Sequence, residues 1–221
     1  MLTKKALKFL RYGIVLYRIS GLKSFGLEIA RRIYSKAYFI RLELDMDRAL
    51  PEISSSIDFY LEPALRDDIE NALQIARDSS KSSAYDLVAR KFFYDSGFHD
   101  CYIGKTKAAK DPCYLGWLLS VKKNPELQNG FKGIPPLKED EVLLYNLFVF
   151  ERYRGKGVAS SADAQLCEIA RQNGFKRAVV YPLKNNPAAI KALKKIGFTE
   201  RGTKTHLYFA FFVKTTSKVL E

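Results

Sequence analysis

The stretch that most constrains this chain is Arg152-Tyr153-Arg154-Gly155-Lys156-Gly157-Val158-Ala159. An apolar run with strand character, Val142 to Phe150, leads into it, and an amphipathic helical pattern, Ala159 to Gln172, leads out. A strand that turns through glycines into a helix N-terminus is built to hold an anion. Glycines remove the Cβ atoms that keep a phosphate away, the backbone N–H groups point outward, and the helix dipole adds partial positive charge. Arg152, Arg154 and Lys156 set full charges beside it. A phosphate-bearing ligand at this turn is the first functional expectation. A solvated turn before a helix is the plain alternative, and Gly-x-Gly alone leaves both open.

The spacing narrows the type of loop. A Walker loop needs two glycines five apart and then Lys-Ser/Thr, which this segment lacks. A dinucleotide fingerprint needs a third glycine where Ser160 stands, and no acidic residue closes a strand near position 180. Downstream, a strand pattern from Lys176 to Pro182 is followed by Asn185-Asn186-Pro187-Ala188-Ala189-Ile190, then Leu193, Lys195 and Gly197-Phe198. Arg-x-x-Gly-x-Gly, then Asn-x-x-Ala on Asn186 and Ala189, then Gly-Phe on 197 and 198, resembles the Gcn5-related N-acetyltransferase (GNAT) superfamily. The resemblance is specific over Glu141 to Val213 and does not extend over the first forty or so residues.

The resemblance implies a ligand and a reaction. Acetyl-CoA, as co-substrate, would be held by backbone N–H groups from Arg154 through Gly155, Lys156 and Gly157 to Val158, with charge from Arg152, Arg154 or Lys156. The strand edge at Leu147, Phe148 and Val149 would pair with the pantetheine amides. The strands ending at Val149 and Val180 would splay, with the thioester in the gap. Asn186 would bond either the pantetheine or the start of its own helix. An amine attacks the thioester directly in this family, so no nucleophilic side chain is needed. The tyrosine that many members carry four residues after the motif alanine is here Leu193, so the usual proton donor is missing. Tyr145 and Tyr181, on the two splayed strands, are the substitutes, with water as a third source. Glu141, eleven residues before Arg152, stands at the register of the catalytic carboxylate in histone-type relatives; an exposed carboxylate at a strand start is the alternative.

Composition bounds the rest. The chain has 221 residues, and its 47% hydrophobic content is enough for a real core. Cys101, Cys113 and Cys167 are scattered without metal-ligand spacing, which reads as reduced thiols in a cytoplasmic protein, and no metal site is expected. The net charge is +13. Residues 1–41 hold ten Lys and Arg against one acid, Glu28, so nine of those charges lie in this segment. Arg11 and Arg18 bracket an uncharged run too short for a signal peptide or a membrane span. Lys4, Lys8, Arg11 and Arg18 recur on one helical face, with Leu2, Phe9 and Leu10 largely opposite, and a second helical segment runs from Leu22 to about Ala37. Such an arm can lie on an anionic membrane, bind an acidic partner, or pack with its basic face solvated. Nucleic acid is disfavoured, since the strands lack the basic, aromatic surface that stacks bases.

The expected organisation is a basic helical extension at 1–41, a connector at 42–56 and an acetyltransferase domain at 57–215. The predicted order is a strand at Ile57 to Leu61, helices at Ala64 to Arg77 and Ala84 to Tyr94, and strands at Phe98 to Lys105 and Cys113 to Val121. A turn-rich loop, Asn124 to Lys138, precedes the motif region, and a last strand, Thr205 to Val213, leads into a polar tail. The fold class is α/β: a mixed sheet with helices on both faces, the acyl-CoA N-acyltransferase fold with a basic helical extension before it. The expected function is transfer of an acyl group, acetyl by default, from acyl-CoA to an amine such as an amino sugar or a membrane-associated acceptor. The rivals are a non-catalytic acyl-CoA-binding module and an acyltransferase fed by acyl carrier protein. The expected location is the cytoplasm, with a peripheral position at the inner membrane face in reach of the arm.

Overall fold

In this computed structural model residues 34–75, 80–130, 134–209 and 212–219 are described. The strands are β1 Tyr34–Asp45, β2 Phe59–Pro63, β3 Cys101–Thr106, β4 Pro112–Ser120, β5 Glu141–Val149, β6 Arg177–Val180, β7 Thr199–Phe209 and β8 Phe212–Val219. The α-helices are α1 Arg66–Ile75, α2 Lys81–Asp95, α3 Asn124–Gly130, α4 Val158–Gln172 and α5 Pro187–Ile196. All eight strands form one sheet in the order β2-β3-β4-β5-β6-β1-β7-β8. β5 and β6 run parallel, and every other neighbouring pair is antiparallel.

The two-residue period of a strand sends alternate side chains to opposite faces. On β5, Leu143 joins a core with Ile69 and Ala72 of α1, Leu87 and Phe93 of α2, and Trp117 of β4. Its neighbours Val142 and Leu144 join the opposite core, with Ala170 of α4, Leu193 and Ile196 of α5, and Leu42 of β1. Helices therefore cover both faces, as expected for this fold class. The helix ends follow local chemistry. Ser80 caps α2 by accepting from Ser83 N–H. Asn186 caps α5 ahead of Pro187, and Gly197 ends α5 in the left-handed region at φ 108°.

The expected helix end at Ala37 and the connector from 42 are overturned. Residues 34–45 are a strand near the middle of the sheet, bonded to β7 along one edge and to β6 along the other. Ile40, Leu42 and Leu44 are buried, and Arg41 and Glu43 point to the other face. That is a period of two, masked in the sequence by counting Lys36 into a helical segment and Arg41 into the basic extension. The first 33 residues lie outside the described residues, and so does the expected helical extension up to there. Residues 46–56 then pass along α4: Met46 N–H bonds Lys176 O at 2.8 Å, Leu50 and Ile53 pack on the α4/α5 core, and Ser56 N–H bonds Lys156 O at 3.0 Å. Two further expectations change. The single last strand is a hairpin, β7 and β8, and part of the expected polar tail is β8. The loop from Asn124 contains the short helix α3.

Candidate active site

A gap opens in the sheet because β5 and β6 pair only from Glu141–Arg177 to Leu143–Val179. Beyond Leu143, β5 keeps β4 on one side, and no other strand among the described residues pairs with its second edge. Within that stretch β5 carries a bulge. Leu115 pairs with Phe148 and Trp117 with Tyr145, so β5 spends one residue more than β4. The extra step is taken at Asn146, whose φ of 53° is left-handed. Leu147, Phe148 and Val149 lie on this stretch, past the bulge, and lead into the glycine turn.

The turn itself presents donors. Gly155 and Gly157 have φ of 74° and 79°, and Gly157 is the N-cap of α4. Within this hydrogen-bonded turn no N–H from Gly155 through Ser160 makes a well-aligned backbone bond among the described residues, while Ser161 N–H begins the helical ladder on Gly157 O. The turn residues from Arg154 to Gly157 are exposed, and Val158 is buried under them. The space beside the two glycines differs. A Cβ on Gly155 would meet nothing within 4 Å, leaving that side open to a ligand. A Cβ on Gly157 would come to 3.1 Å from Ser54 O and 3.3 Å from Ser55 Cα. The Cβ direction of Gly157 thus faces the strap at 54–56, and its φ of 79° favours glycine independently of that contact.

The three cations of the turn are used differently. Arg152 reaches Asp111 at 3.1 Å. Arg154 turns inward, Nε donating to Val149 O at 3.2 Å and Nη2 to Ser83 Oγ at 3.0 Å. Lys156 lies 5.7 Å from the Tyr153 ring centroid. Glu151 accepts from Ser80 N–H at 3.0 Å, a bond that holds its carboxyl below the usual range. The start of α2 is therefore tied to the turn at both Ser80 and Ser83. Asn186 Oδ1 accepts from Ala189 N–H at 3.1 Å, so its side chain bonds the start of its own helix.

On the α1/α2 face of the gap the structure joins two of the expected residues through one that sequence reasoning missed. Arg41 of β1 donates from Nη1 to Tyr181 Oη at 2.7 Å, from Nη2 to Glu141 Oε1 at 3.4 Å, and from Nε to Glu43. Glu43, Tyr181 and Glu141 hold Arg41 charged against the burial that opposes it. Burial pushes the Tyr181 phenol up, against the pull of the Arg41 charge. Glu141 is 2% exposed, which overturns the exposed strand-start alternative. Its oxygens take Arg41, Arg177 at 3.6 Å and the N–H of Lys138 at 3.1 Å. Tyr145 packs on the same face, its ring 5.1 Å from Phe93. Leu193 is 1% exposed in the opposite core, so the position that carries a tyrosine in many relatives is here an ordinary packing site. The signal that could have found Arg41 was the Ile40-Leu42-Leu44 alternation around it.

Away from the gap, the three cysteines are free and buried, and burial pushes their thiols up, Cys113 to about 11. Among the described residues no group of His, Cys, Asp or Glu is arranged to hold a metal, and no helix is long and apolar enough to cross a membrane.

A mixed sheet opened between its parallel strands, with a donor-lined glycine turn at the helix beyond, defines an acyl-CoA N-acyltransferase fold. Residues 66–198 match the model of the Acetyltransferase (GNAT) family, and the chain belongs to that family. Among curated proteins it is similar to the uncharacterized N-acetyltransferase YycN of Bacillus subtilis (strain 168), at 33% identity over 86 residues. That match covers 38% of this chain and 55% of the relative, so the chain spans about half the length of its curated relative. Three solved structures share the fold. A GCN5-related glucosamine N-acetyltransferase region of a fungal multi-domain GH3 β-N-acetylglucosaminidase aligns with TM-score 0.56 at 10% identity, covering 82% of this chain and 22% of that one. A GNAT-family acetyltransferase from Colwellia psychrerythraea aligns with TM-score 0.51 at 13% identity, covering 91% and 73%. One from Sphaerobacter thermophilus aligns with TM-score 0.50 at 9% identity, covering 91% and 59%.

Proposed function

We propose that this chain is an N-acyltransferase that takes an acetyl group from acetyl-CoA and passes it to an amine. The observation that carries the reading is the continuity of the site. An open edge of β5 runs from the bulge at Asn146 to an exposed glycine turn at a helix N-terminus, a place that suits a pyrophosphate. When bound, acetyl-CoA supplies an acyl carbon already activated as a thioester. The residues of the chain hold it and manage protons. The turn from Gly155 to Val158 receives the pyrophosphate, with Lys156 as the nearest mobile charge. The edge at Leu147 to Val149 takes the pantetheine arm.

Proton traffic falls to the α1/α2 face. Arg41 can only donate, so Tyr181 Oη is the acceptor in that pair and keeps its own proton to give. Tyr181 is the first candidate to protonate the leaving thiolate, and Tyr145 is the second. Glu141, closed off by two arginines, anchors Arg41 rather than meeting the amine, whose proton leaves to solvent. The fungal relative described as a glucosamine N-acetyltransferase makes an amino sugar a reasonable first substrate to offer. The net charge of +7 in residues 1–33, eight Lys and Arg against Glu28, supports an enzyme that can rest on an anionic membrane from the cytoplasmic side.

The test is calorimetry with acetyl-CoA, then thiol release over a panel of amines that includes amino sugars. Micromolar binding with amine-dependent release is expected. Binding without release from any amine supports an acyl-CoA-binding module instead. Release only with acyl carrier protein as donor supports that alternative. No binding of acetyl-CoA refutes the reading.

A further inference from the structure

We infer that Arg90 is a positioning residue for the acyl donor: its guanidinium fixes the two bulge carbonyls of β5 and so sets the edge against which the donor's pantetheine arm lies. The inference rests on the reading of that edge as the acyl-CoA site.

Arg90 projects from α2, seven residues past the Ser83 contact with Arg154. Its Nε donates to Asn146 O at 3.0 Å and its Nη2 to Leu147 O at 3.0 Å. In a regular strand, successive carbonyls point to opposite edges. Here two successive carbonyls converge on one planar fork, at the bulge where Asn146 is left-handed. A non-glycine residue holds that conformation where its surroundings over-determine it, and the fork does so. The third nitrogen, Nη1, donates to Asp86 O at 2.8 Å and so ties the fork to its own helix.

The charge is placed as deliberately as the hydrogen bonds. The Arg90 side chain is 12% exposed, and its closest carboxylate is Asp86, 3.8 Å away and itself 45% exposed. The guanidinium lies 4.6 Å from the centroid of the Phe148 ring, which Arg154 also approaches at 5.6 Å. Burial draws its pKa down to about 10, which leaves it charged at neutral pH. A buried cation bonded to neutral carbonyls is a costly way to brace a strand; an apolar contact would stabilise the fold as well. What the fork adds is a defined direction for each carbonyl, and those carbonyls belong to the stretch of β5 that has no second strand. Together with Arg154 on Val149 O, it orders this edge before any donor arrives.

The test compares the full-length protein with Arg90→Met and Arg90→Lys, using acetyl-CoA and ADP as probes in calorimetry. ADP carries a pyrophosphate and no pantetheine arm. Both variants should bind acetyl-CoA roughly tenfold or more weakly, since one ammonium cannot bridge two carbonyls, while ADP binding stays unchanged. Amide hydrogen exchange across 144–149 should quicken in the same variants. Equal loss for both probes would make Arg90 a plain structural residue and overturn the inference. Unchanged or tighter acetyl-CoA binding would overturn it too, the latter marking Arg90 as a placeholder that the donor displaces. Arg90→Lys keeps the stem and charge, so the comparison survives if Arg90→Met does not fold. Wild-type protein that binds neither probe overturns the acyl-CoA reading itself, and the inference with it.

Discussion

Deleting residues 1–45 should leave no folded protein, whereas deleting residues 1–33 should leave the sheet standing. β1 is bonded along both edges, to β6 over Leu42 to Asp45 and to β7 from Tyr34 to Glu43. Its inward side chains Ile40, Leu42 and Leu44 are 8%, 0% and 5% exposed. Burying three such side chains contributes about 6 kcal/mol. The whole stability of a domain is about 5–15 kcal/mol, so this loss alone approaches it. The deletion also parts β6 from β7 and uncovers both edges. Removing residues 1–33 touches none of the described ladder bonds. Circular dichroism with thermal melting, and acetyl-CoA calorimetry on both deletions, reads the difference. A cooperative melt of the 1–45 deletion, close to that of the 1–33 deletion, would refute a central β1.

Lys156→Glu places a negative charge at the turn without touching the strap or either glycine, and should weaken acetyl-CoA binding roughly tenfold, less so at high salt; equal affinity in calorimetry would remove the turn from the site. Tyr181→Phe should lower kcat roughly 10²-fold on a working acceptor with acetyl-CoA binding unchanged, and wild-type rates for both this variant and Tyr145→Phe would assign the proton to water or substrate. Asp163 is buried beneath Tyr114, whose hydroxyl it accepts, and burial pushes it from 3.8 up to about 7. The folded state therefore keeps a proton that the unfolded chain gives up, so stability falls as pH rises from about 4 to about 7, by up to about 4 kcal/mol, and is flat above. Asp163→Asn should raise the melting temperature at pH 8 and change it little at pH 4; an unchanged pH profile would show that Asp163 does not drive it.

The motif half of the chain was legible because its signals are local. A glycine pair before an amphipathic helix, Asn186 with Pro187 at a helix start, and Gly197 at its end each set backbone geometry within a few residues, and each lies where the pattern placed it. The bulge was not legible, since nothing in Tyr145-Asn146-Leu147 requires a left-handed residue there. What escaped was non-local. The alternation from Ile40 to Leu44 is short, flanked by lysine and arginine, and its two partner strands lie far along the chain. Arg90 sits in an ordinary helical pattern, and only the distant bulge gives it a function. The strap at 54–56 was invisible for the same reason, and with it the close approach to Gly157.

The placement of β1 also changes what the basic arm has left to offer. Lys36 and Arg41 are in the sheet, and Arg41 is committed to Glu43, Glu141 and Tyr181. Of the ten cations in residues 1–41, eight remain in residues 1–33, which with Glu28 leaves a net charge of +7 there. Each basic side chain near an anionic surface is worth about 1 kcal/mol, so salt-sensitive attachment through the arm remains the outcome to test. Arg41 and the arm now make separable contributions. Arg41→Met should impair turnover and leave sedimentation with anionic vesicles intact. The 1–33 deletion should do the reverse. A single variant that lost both would mean that the arm and the gap are coupled through β1, which follows the arm in the chain and carries Arg41.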